Sequence, residues 1–209
     1  MVEFGLDPTG GSILNLLVQA PNLSERVEQG GTVGYIILGL GVIGLLFALE
    51  RFISLMLIGN KVGRQLKRDD ASEDNPLGRV MQVKDRNPDA DTETLELKLS
   101  EAILREIPKI TRNLTFIKII SVVAPLLGLL GTVTGMINTF QAITLFGTGD
   151  PKLMAGGISQ ALVTTVLGLV VAIPMTLLFA TLNTRSRNVI HILQEQASGI
   201  IAERSERSA

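Results

Sequence analysis

The segment Ala124-Pro-Leu-Leu-Gly-Leu-Leu-Gly-Thr-Val-Thr-Gly-Met-Ile-Asn138 determines the architecture, because it lies inside an apolar run too long for an ordinary core helix. Small residues recur in it at spacings of three and four, which places them on one helical face: Gly128, Gly131, Thr132 and Gly135. In a membrane, such a face lets a second helix approach closely. The simplest interpretation is a packing face, although Thr132 and Thr134 add hydroxyls that packing alone does not require.

The composition predicts a membrane protein and excludes several other classes. The 209 residues are 46% hydrophobic, and the mean hydropathy is +0.38, which is too apolar for a soluble domain of this length. Cysteine is absent and there is one histidine, so we expect no disulfide, no metal site and no cofactor. The formal net charge of −1 gives no reason to expect nucleic acid as a partner. Residues 1–11 lack the pattern of a cleavable signal peptide.

The first predicted span begins with seventeen uncharged residues, Val33 to Leu49. At about 1.5 Å per residue this run just reaches the length needed to cross a hydrocarbon core. Glu50 and Arg51 interrupt it, and apolar residues continue to Gly59. We expect these two charges to form an interface pair, with the Arg51 side chain reaching towards water.

The whole chain is predicted to be an all-α membrane protein with three transmembrane helices, the second and third extended into a cytoplasmic helical bundle. An N-terminal periplasmic segment with a short amphipathic helix is expected first. The predicted segments are 1–31 (periplasmic), 32–58 (span 1), 59–114 (cytoplasmic loop and helices), 115–143 (span 2), 144–157 (periplasmic turn), 158–182 (span 3) and 183–209 (cytoplasmic helical tail).

Helical spacing of apolar residues indicates an amphipathic helix in the second half of the loop. These residues are Leu95, Leu99, Ala102, Ile103, Ile110 and Leu114. We expect this helix to kink at Pro108 and to run on into the second span. Pro125 and Pro174 predict bends inside the second and third spans, and Asp150 is a candidate cap for a helix beginning at Pro151.

The distribution of lysine and arginine predicts the orientation. Eleven of these residues fall in the loop 59–114 and four in the tail, whereas the N-terminal segment has only Arg26 and the turn only Lys152. Positive charge favours the cytoplasmic side. The loop and the C-terminus are therefore predicted to be cytoplasmic, and the N-terminus and the turn periplasmic.

The third span carries a second stripe of small and polar residues. Ala161, Thr165, Gly168 and Ala172 share one helical face, and Gln160 and Thr164 flank it. One interpretation is a narrow polar passage lined by Thr132, Thr165, Gln160 and Thr164. The alternative for any single threonine is a hydroxyl that bonds its own helix carbonyl. An amide that faced lipid would be costly, which favours an inward position for Gln160.

The predicted spans contain no titratable residue at mid-membrane depth. Between residues 116 and 182 the charged residue within the membrane is Lys118, near the cytoplasmic end. Because a proton relay across a bilayer uses such a group, any carboxylate must come from another chain. The motifs of hydrolases, zinc proteases and nucleotide-binding enzymes are also absent. His191 lies in the polar tail, so we expect no enzyme.

Two motifs carry a family resemblance. Gly128-Leu-Leu-Gly-Thr-Val-x-Gly-x-x-Asn138 is followed by Gly157-Ile-x-x-Ala-Leu-x-x-Thr165-x-x-Gly-Leu-x-x-Ala-Ile-Pro174. Together they resemble the MotA/TolQ/ExbB proton-channel family. Within it the chain is most similar to the ExbB branch of the TonB system, in particular the TtpC-like group. Members of that group carry an extra N-terminal periplasmic region, so a short paralogue or a trimmed chain is expected.

The resemblance implies an inner-membrane homopentamer that encloses a single-span, ExbD-like partner. That partner's aspartate would carry the protons, and a TonB-like transducer would pass the resulting movement to outer-membrane receptors. Thr132 and Thr165 match the family's pore-lining threonines. Gln160 stands where ExbB and TolQ usually have a glutamate, which argues against an essential acid at this position.

Two other hypotheses remain open from the sequence, and a third is disfavoured. A TolQ-like subunit for outer-membrane integrity would carry nearly the same motifs. A non-conducting membrane scaffold would have the same spans. A solute carrier would require internal repeats, and three spans show none.

Overall fold

A computed structural model describes residues 23–68, 70–147 and 151–208 of the chain. All regular secondary structure in these residues is helical. The helices are α1 (Leu23–Gln29), α2 (Gly31–Gln65), α3 (Pro76–Arg86), α4 (Thr92–Thr111), α5 (Leu114–Phe146) and α6 (Pro151–Ser208). The all-α prediction is confirmed.

Three of the described helices are long and apolar enough to cross a membrane. They provide the candidate spans Gly31–Gln65, Leu114–Leu145 and Met154–Glu206, whose most apolar windows have mean hydropathies of 2.3, 2.1 and 2.4. At most 28% of each window is buried within the chain, which leaves most of each apolar surface for lipid or other helices. Three spans were predicted from the sequence, and three are found. The predicted amphipathic helix in the N-terminal segment and the capping role of Asp150 lie outside the described residues.

Local chemistry explains where the shorter helices begin and end. Asn75 precedes α3, and its side chain accepts a 2.8 Å hydrogen bond from the Gly78 amide. Asp91 plays the same role for α4, accepting from the Thr94 amide at 3.3 Å. Both residues satisfy amides that have no partner within a helix's first turn. Between α1 and α2, Gly31 has φ +56°, a conformation that glycine adopts without strain.

The predicted continuation of the amphipathic helix into the second span is wrong. α4 ends at Thr111, Arg112 is extended, and Asn113 takes φ +60° before α5 begins at Leu114. Asparagine tolerates this left-handed conformation better than most residues. Pro108, the predicted kink, lies inside α4. The predicted apolar face is buried, with Leu95, Leu99, Ile103, Ile110 and Leu114 each at most 7% exposed.

The expectation that Arg51 reaches towards water is also wrong. Arg51 is 2% exposed, and its Nη2 donates to the carbonyl oxygens of Lys109 (3.1 Å) and Ile110. Glu50 accepts a 3.0 Å hydrogen bond from the Asn113 amide group. The reason for the difference is tertiary: the last turn of α4 presents carbonyls without helical partners, and a buried guanidinium satisfies them.

α6 confirms that the third span continues into the polar tail. It extends without interruption through Pro174 to Ser208. Val189, Leu193 and Ala197 recur every four residues on one face of the tail, and they are at most 5% exposed.

The chain divides into two compact units. The first unit comprises the described residues up to Leu38 together with Leu126–Gly168, and the second comprises Gly39–Pro125 and the residues from Leu169 onward. The first unit holds the glycine and threonine motifs. The second holds α3, α4 and a core that includes Val62, Leu77, Leu99 and Leu193, all fully buried.

Candidate functional site

In the first unit, α5 and α6 approach closely where the two motifs meet. A Cβ atom on Gly128 would lie 3.0 Å from the Thr164 carbonyl oxygen, and one on Gly135 would lie 2.7 Å from that of Gly157. The backbone of Gly168 also borders this contact, 3.6 Å from the Gly128 position. Side chains at these glycines would push the helices apart.

Thr164 fills the space that the glycines leave. It is 0% exposed, and its Oγ1 lies 2.2 Å from the position of a Cβ on Gly131. The hydroxyl is 3.0 Å from the carbonyl oxygens of both Gln160 and Ala161, so it is satisfied within its own helix. Within one chain, therefore, Thr164 contributes to the helix contact and presents no open hydroxyl.

Thr132 and Thr165 occupy the edges of the same contact and are half-buried. The hydroxyl of Thr132 donates to the Leu129 carbonyl at 2.6 Å, and that of Thr165 to the Ala161 carbonyl at 3.4 Å. Thr134 likewise lies 3.1 Å from the Leu130 and Gly131 carbonyls. A hydroxyl that donates once still has lone pairs to accept with. Each of these hydroxyls can therefore accept a hydrogen bond from a neighbouring molecule while it keeps the bond to its own helix.

Gln160 lies at a different place from Thr132 and Thr165. Its Nε2 would be 2.8 Å from a Cβ on Gly31, so the amide packs against the first residue of α2. The neighbouring Ser159 hydroxyl donates to Oε1 of Gln29 at 3.1 Å. The structure thus brings Gln160 to the junction of α1 and α2.

In the second unit, the C-terminus of α4 is a polar site that sequence reasoning missed. Besides the bond from Arg51, the Ile110 carbonyl accepts a 3.3 Å hydrogen bond from the Ser186 hydroxyl. The Arg51 Nε is buried and has no hydrogen-bond partner among the described residues. The available signal is the Glu50–Arg51 pair at the end of a charge-free apolar run, which an intramembrane or buried role for the arginine explains as well as an interfacial one.

A buried carboxylate in the second unit joins α3 to α4. Glu106, whose side chain is 6% exposed, accepts hydrogen bonds from Arg79 (3.0 and 2.6 Å) and from Lys109 (2.7 Å). Burial raises the pKa of the Glu106 carboxyl, but the bonds and charges of its two basic partners outweigh this, and the net pKa lies below its ordinary value. Hydrogen bonding to Glu106 in turn raises the pKa of Arg79.

No charged side chain other than Lys118 belongs to the apolar part of α5, and none to residues 153–184 of α6. Lys118 Nζ lies 6.0 Å from the centroid of the Phe179 ring. Among the residues that the structure describes, no group of three or more His, Asp or Glu is arranged to hold a metal ion. The apolar parts of α5 and α6 offer hydroxyls, the side-chain amides of Asn138, Gln141 and Gln160, and closely packed backbone.

Comparison with known proteins places this arrangement in a family. A family model described as the MotA/TolQ/ExbB proton channel family matches residues 70–195. An ExbB homolog for biopolymer transport from Methanothermobacter thermautotrophicus is 30% identical over 177 residues, 77% of this chain and 63% of its own length. The ExbB-like 1 protein of Synechocystis sp. is 34% identical over 186 residues, 79% of this chain and 72% of its own length. TolQ of the Pseudomonas aeruginosa Tol-Pal system is 32% identical over 114 residues, 54% of this chain and 49% of its own.

The match covers the loop helices, both motif-bearing spans and the start of the tail, which is more than half of the chain. The alignments with the two relatives named ExbB cover 77% and 79% of the chain. The chain therefore belongs to the MotA/TolQ/ExbB proton channel family.

Proposed function

We propose that this protein is a proton-channel subunit of an energy-transducing motor in the bacterial inner membrane, with its N-terminus in the periplasm and its C-terminus in the cytoplasm. Several copies, five by the family resemblance, surround the membrane helix of a single-span, ExbD-like partner. The observation that carries the proposal is the absence of any acidic residue from 33–49, 119–149 and 153–184 in a member of a proton-channel family.

The division of labour follows from this absence. An aspartate on the partner's helix takes and releases the proton, because a titratable group is needed at mid-membrane depth. Thr132 and Thr165 face that helix, and their hydroxyls form hydrogen bonds along the path of the proton. Gly128, Gly131 and Gly135 let α5 and α6 pack closely enough to form the wall of the channel. Thr164 belongs to this wall, and Gln160 holds the start of α2 in place.

The energetic scale decides how many protons such a motor needs. A proton that crosses about 100 mV releases about 2.3 kcal/mol. That is less than the work of breaking several hydrogen bonds at once, so several protons are coupled to each mechanical step.

For the biological role we propose import across the outer membrane through a TonB-like transducer, as in the TtpC-like group. A TolQ-like role in outer-membrane integrity is the second candidate, because relatives named TolQ match half of the chain. Deletion of the gene separates the two. Loss of growth on iron chelates with normal detergent resistance supports the first role, and detergent sensitivity with normal iron uptake supports the second.

Co-purification tests the partner directly. We expect the chain to retain a single-span protein with an intramembrane aspartate after detergent extraction. A homo-oligomer that conducts no protons with any such protein would make it a membrane scaffold and would contradict the proposal.

A further inference from the structure

A groove of about 320 Å³ opens between α2 and α6 in the second unit. We call it the α2–α6 groove. Its lining includes Met56, Gly59, Asn60, Arg185, Asn188 and Ile192. Space remains inside it: a Cβ on Gly59 would find no heavy atom within 4 Å, and Met56 is 51% exposed. The groove therefore has room for a side chain from outside.

A matching apolar surface lies on α4. Leu97 and Leu104 are each 66% exposed and stand seven residues apart, so they share one helical face. α4 belongs to the polar part of the chain between the first two spans, where lipid does not cover a side chain. Burial of either leucine against another protein surface would be favourable, because it removes apolar area from water.

Two contacts fix the register of α4 against α6. The Ser186 hydroxyl bonds the Ile110 carbonyl at 3.3 Å, and Arg204 Nη2 bonds the Ala90 carbonyl at 2.9 Å. The two helices therefore run antiparallel. Leu104 precedes Ile110 by six residues, about 9 Å along the helix, and the α6 residue at that level is Ile192.

The register of α2 is fixed in the same way. The Arg185 guanidinium lies over the Phe52 ring, 4.9 Å from its centroid. Gly59 follows Phe52 by seven residues, and Ile192 follows Arg185 by seven. The middle of the groove and Leu104 therefore lie at one level along the helices.

Opposite charges flank the two surfaces. Arg105 follows Leu104 directly, is 74% exposed at its side chain, and forms an exposed 2.6 Å pair with Glu101 of its own helix. Glu195 lies one turn beyond Ile192, is 67% exposed at its side chain and is 4.0 Å from His191 Nδ1. The level of Arg105 differs from that of Glu195 by about four residues, or about 6 Å, a distance that an arginine side chain covers.

We propose that the occupant of the α2–α6 groove is Leu104 of a second copy of this chain, with Arg105 of that copy directed towards Glu195. Copies in one membrane share the same depth, so surfaces at one level meet. The two surfaces differ, so the contact is head-to-tail and repeats around a ring. The inference rests on the homo-oligomer of the proposed function and specifies its contact outside the spans.

Disulfide cross-linking tests the contact, since the chain contains no cysteine of its own. In the complex purified with its partner, Gly59→Cys combined with Leu104→Cys is oxidised with copper–phenanthroline. We expect a ladder of covalent dimers and higher oligomers on a non-reducing gel. The matched control is Gly59→Cys with Leu97→Cys, because Leu97 is equally exposed but lies about 10 Å further along the helix, beyond the roughly 7 Å Cα limit for a disulfide.

Native mass measurement distinguishes the absence of the proposed contact from the absence of the oligomer. An oligomer that gives no ladder with the Leu104 pair, or an equal ladder with the Leu97 pair, overturns the proposed contact and leaves the oligomer standing. A monomeric mass instead removes the oligomer itself, and with it the proposed function. A charge reversal adds a second readout: Glu195→Arg should weaken the ladder several-fold, and added Arg105→Glu should restore it.

Discussion

Gly131 of α5 and Thr164 of α6 leave no room for another side-chain atom between them, since a Cβ on Gly131 would lie 2.2 Å from the threonine Oγ1 and 2.4 Å from its Cβ. Both residues belong to the close contact between α5 and α6 in the first unit. The glycine is thus fixed by sterics, and its substitution tests whether the small-residue stripe of α5 packs against α6.

We predict that Gly131→Ala lowers the free energy of unfolding of the purified complex by roughly 1–3 kcal/mol, the usual range for forcing a methyl group into a packed contact. Thermal unfolding in detergent measures it. Gly156→Ala is the matched control, because nothing lies within 4 Å of its Cβ position and alanine favours the helix. Equal melting temperatures for the two variants would contradict the close contact.

Arg51 provides a second prediction, because it holds the last carbonyls of α4. Arg51→Met removes the donor and leaves the carbonyls of Lys109 and Ile110 without it, at an expected cost of about 2–4 kcal/mol. Hydrogen exchange of the backbone amides from Lys109 to Leu114 should accelerate. Arg64→Met, at an exposed position near the end of α2, should change stability by less than about 0.5 kcal/mol. Unchanged exchange in Arg51→Met would show that the guanidinium does not secure this helix end.

The spans, the glycine stripe and the helical tail were predictable because each is a local pattern of apolar or small residues. The burial of Arg51 was not, since it depends on carbonyls 58 and 59 residues away along the chain. The break at Asn113 was also missed, because a single left-handed residue leaves the apolar spacing around it unchanged. The helical position of Gln160 predicts a place in the passage, and its contact with Gly31 is a tertiary feature that helical spacing does not show.

Glu106 makes stability depend on pH. Its pKa is below the ordinary value in the folded chain, so the carboxylate's contribution is present above the unfolded pKa of about 4.3 and is lost as pH falls through the folded pKa. We predict that Glu106→Gln is less stable than the parent at pH 7 by about 1–3 kcal/mol.

That difference should shrink as pH falls below about 4. Denaturant unfolding between pH 3 and pH 7 measures it. Glu101→Gln is the control, since its pair with Arg105 is exposed on both sides and contributes at most about 1 kcal/mol. A stability difference between Glu106→Gln and the parent that grows on acidification would mean that folding raises the pKa of Glu106, and it would contradict the lowered pKa.

For the proposed channel, we predict that Thr132→Val and Thr165→Val each abolish transport-dependent growth while the complex still assembles. Valine keeps the shape and removes only the hydroxyl. Thr181→Val is the control, because its hydroxyl bonds the Leu177 carbonyl on an exposed part of α6. Growth on iron chelates and native mass are the two readouts. Normal iron uptake by either variant would exclude its hydroxyl from the mechanism.

Gln160→Ala should be milder than either threonine variant, because an amide does not change its protonation state. Its expected effect is on packing at Gly31, seen as a modest fall in melting temperature with most transport activity retained. A complete loss of transport in a fully assembled Gln160→Ala complex would give this side chain a direct part in proton movement.

Proton flux into liposomes, driven by an imposed pH gradient and potential, shows whether the partner supplies the proton-carrying carboxylate. The subunit is reconstituted once alone and once with its single-span partner. We predict rapid flux only with the partner, and its loss when the partner's membrane aspartate is replaced by asparagine. Equal flux from the subunit alone would show that the chain conducts protons without a borrowed carboxylate, contrary to this account.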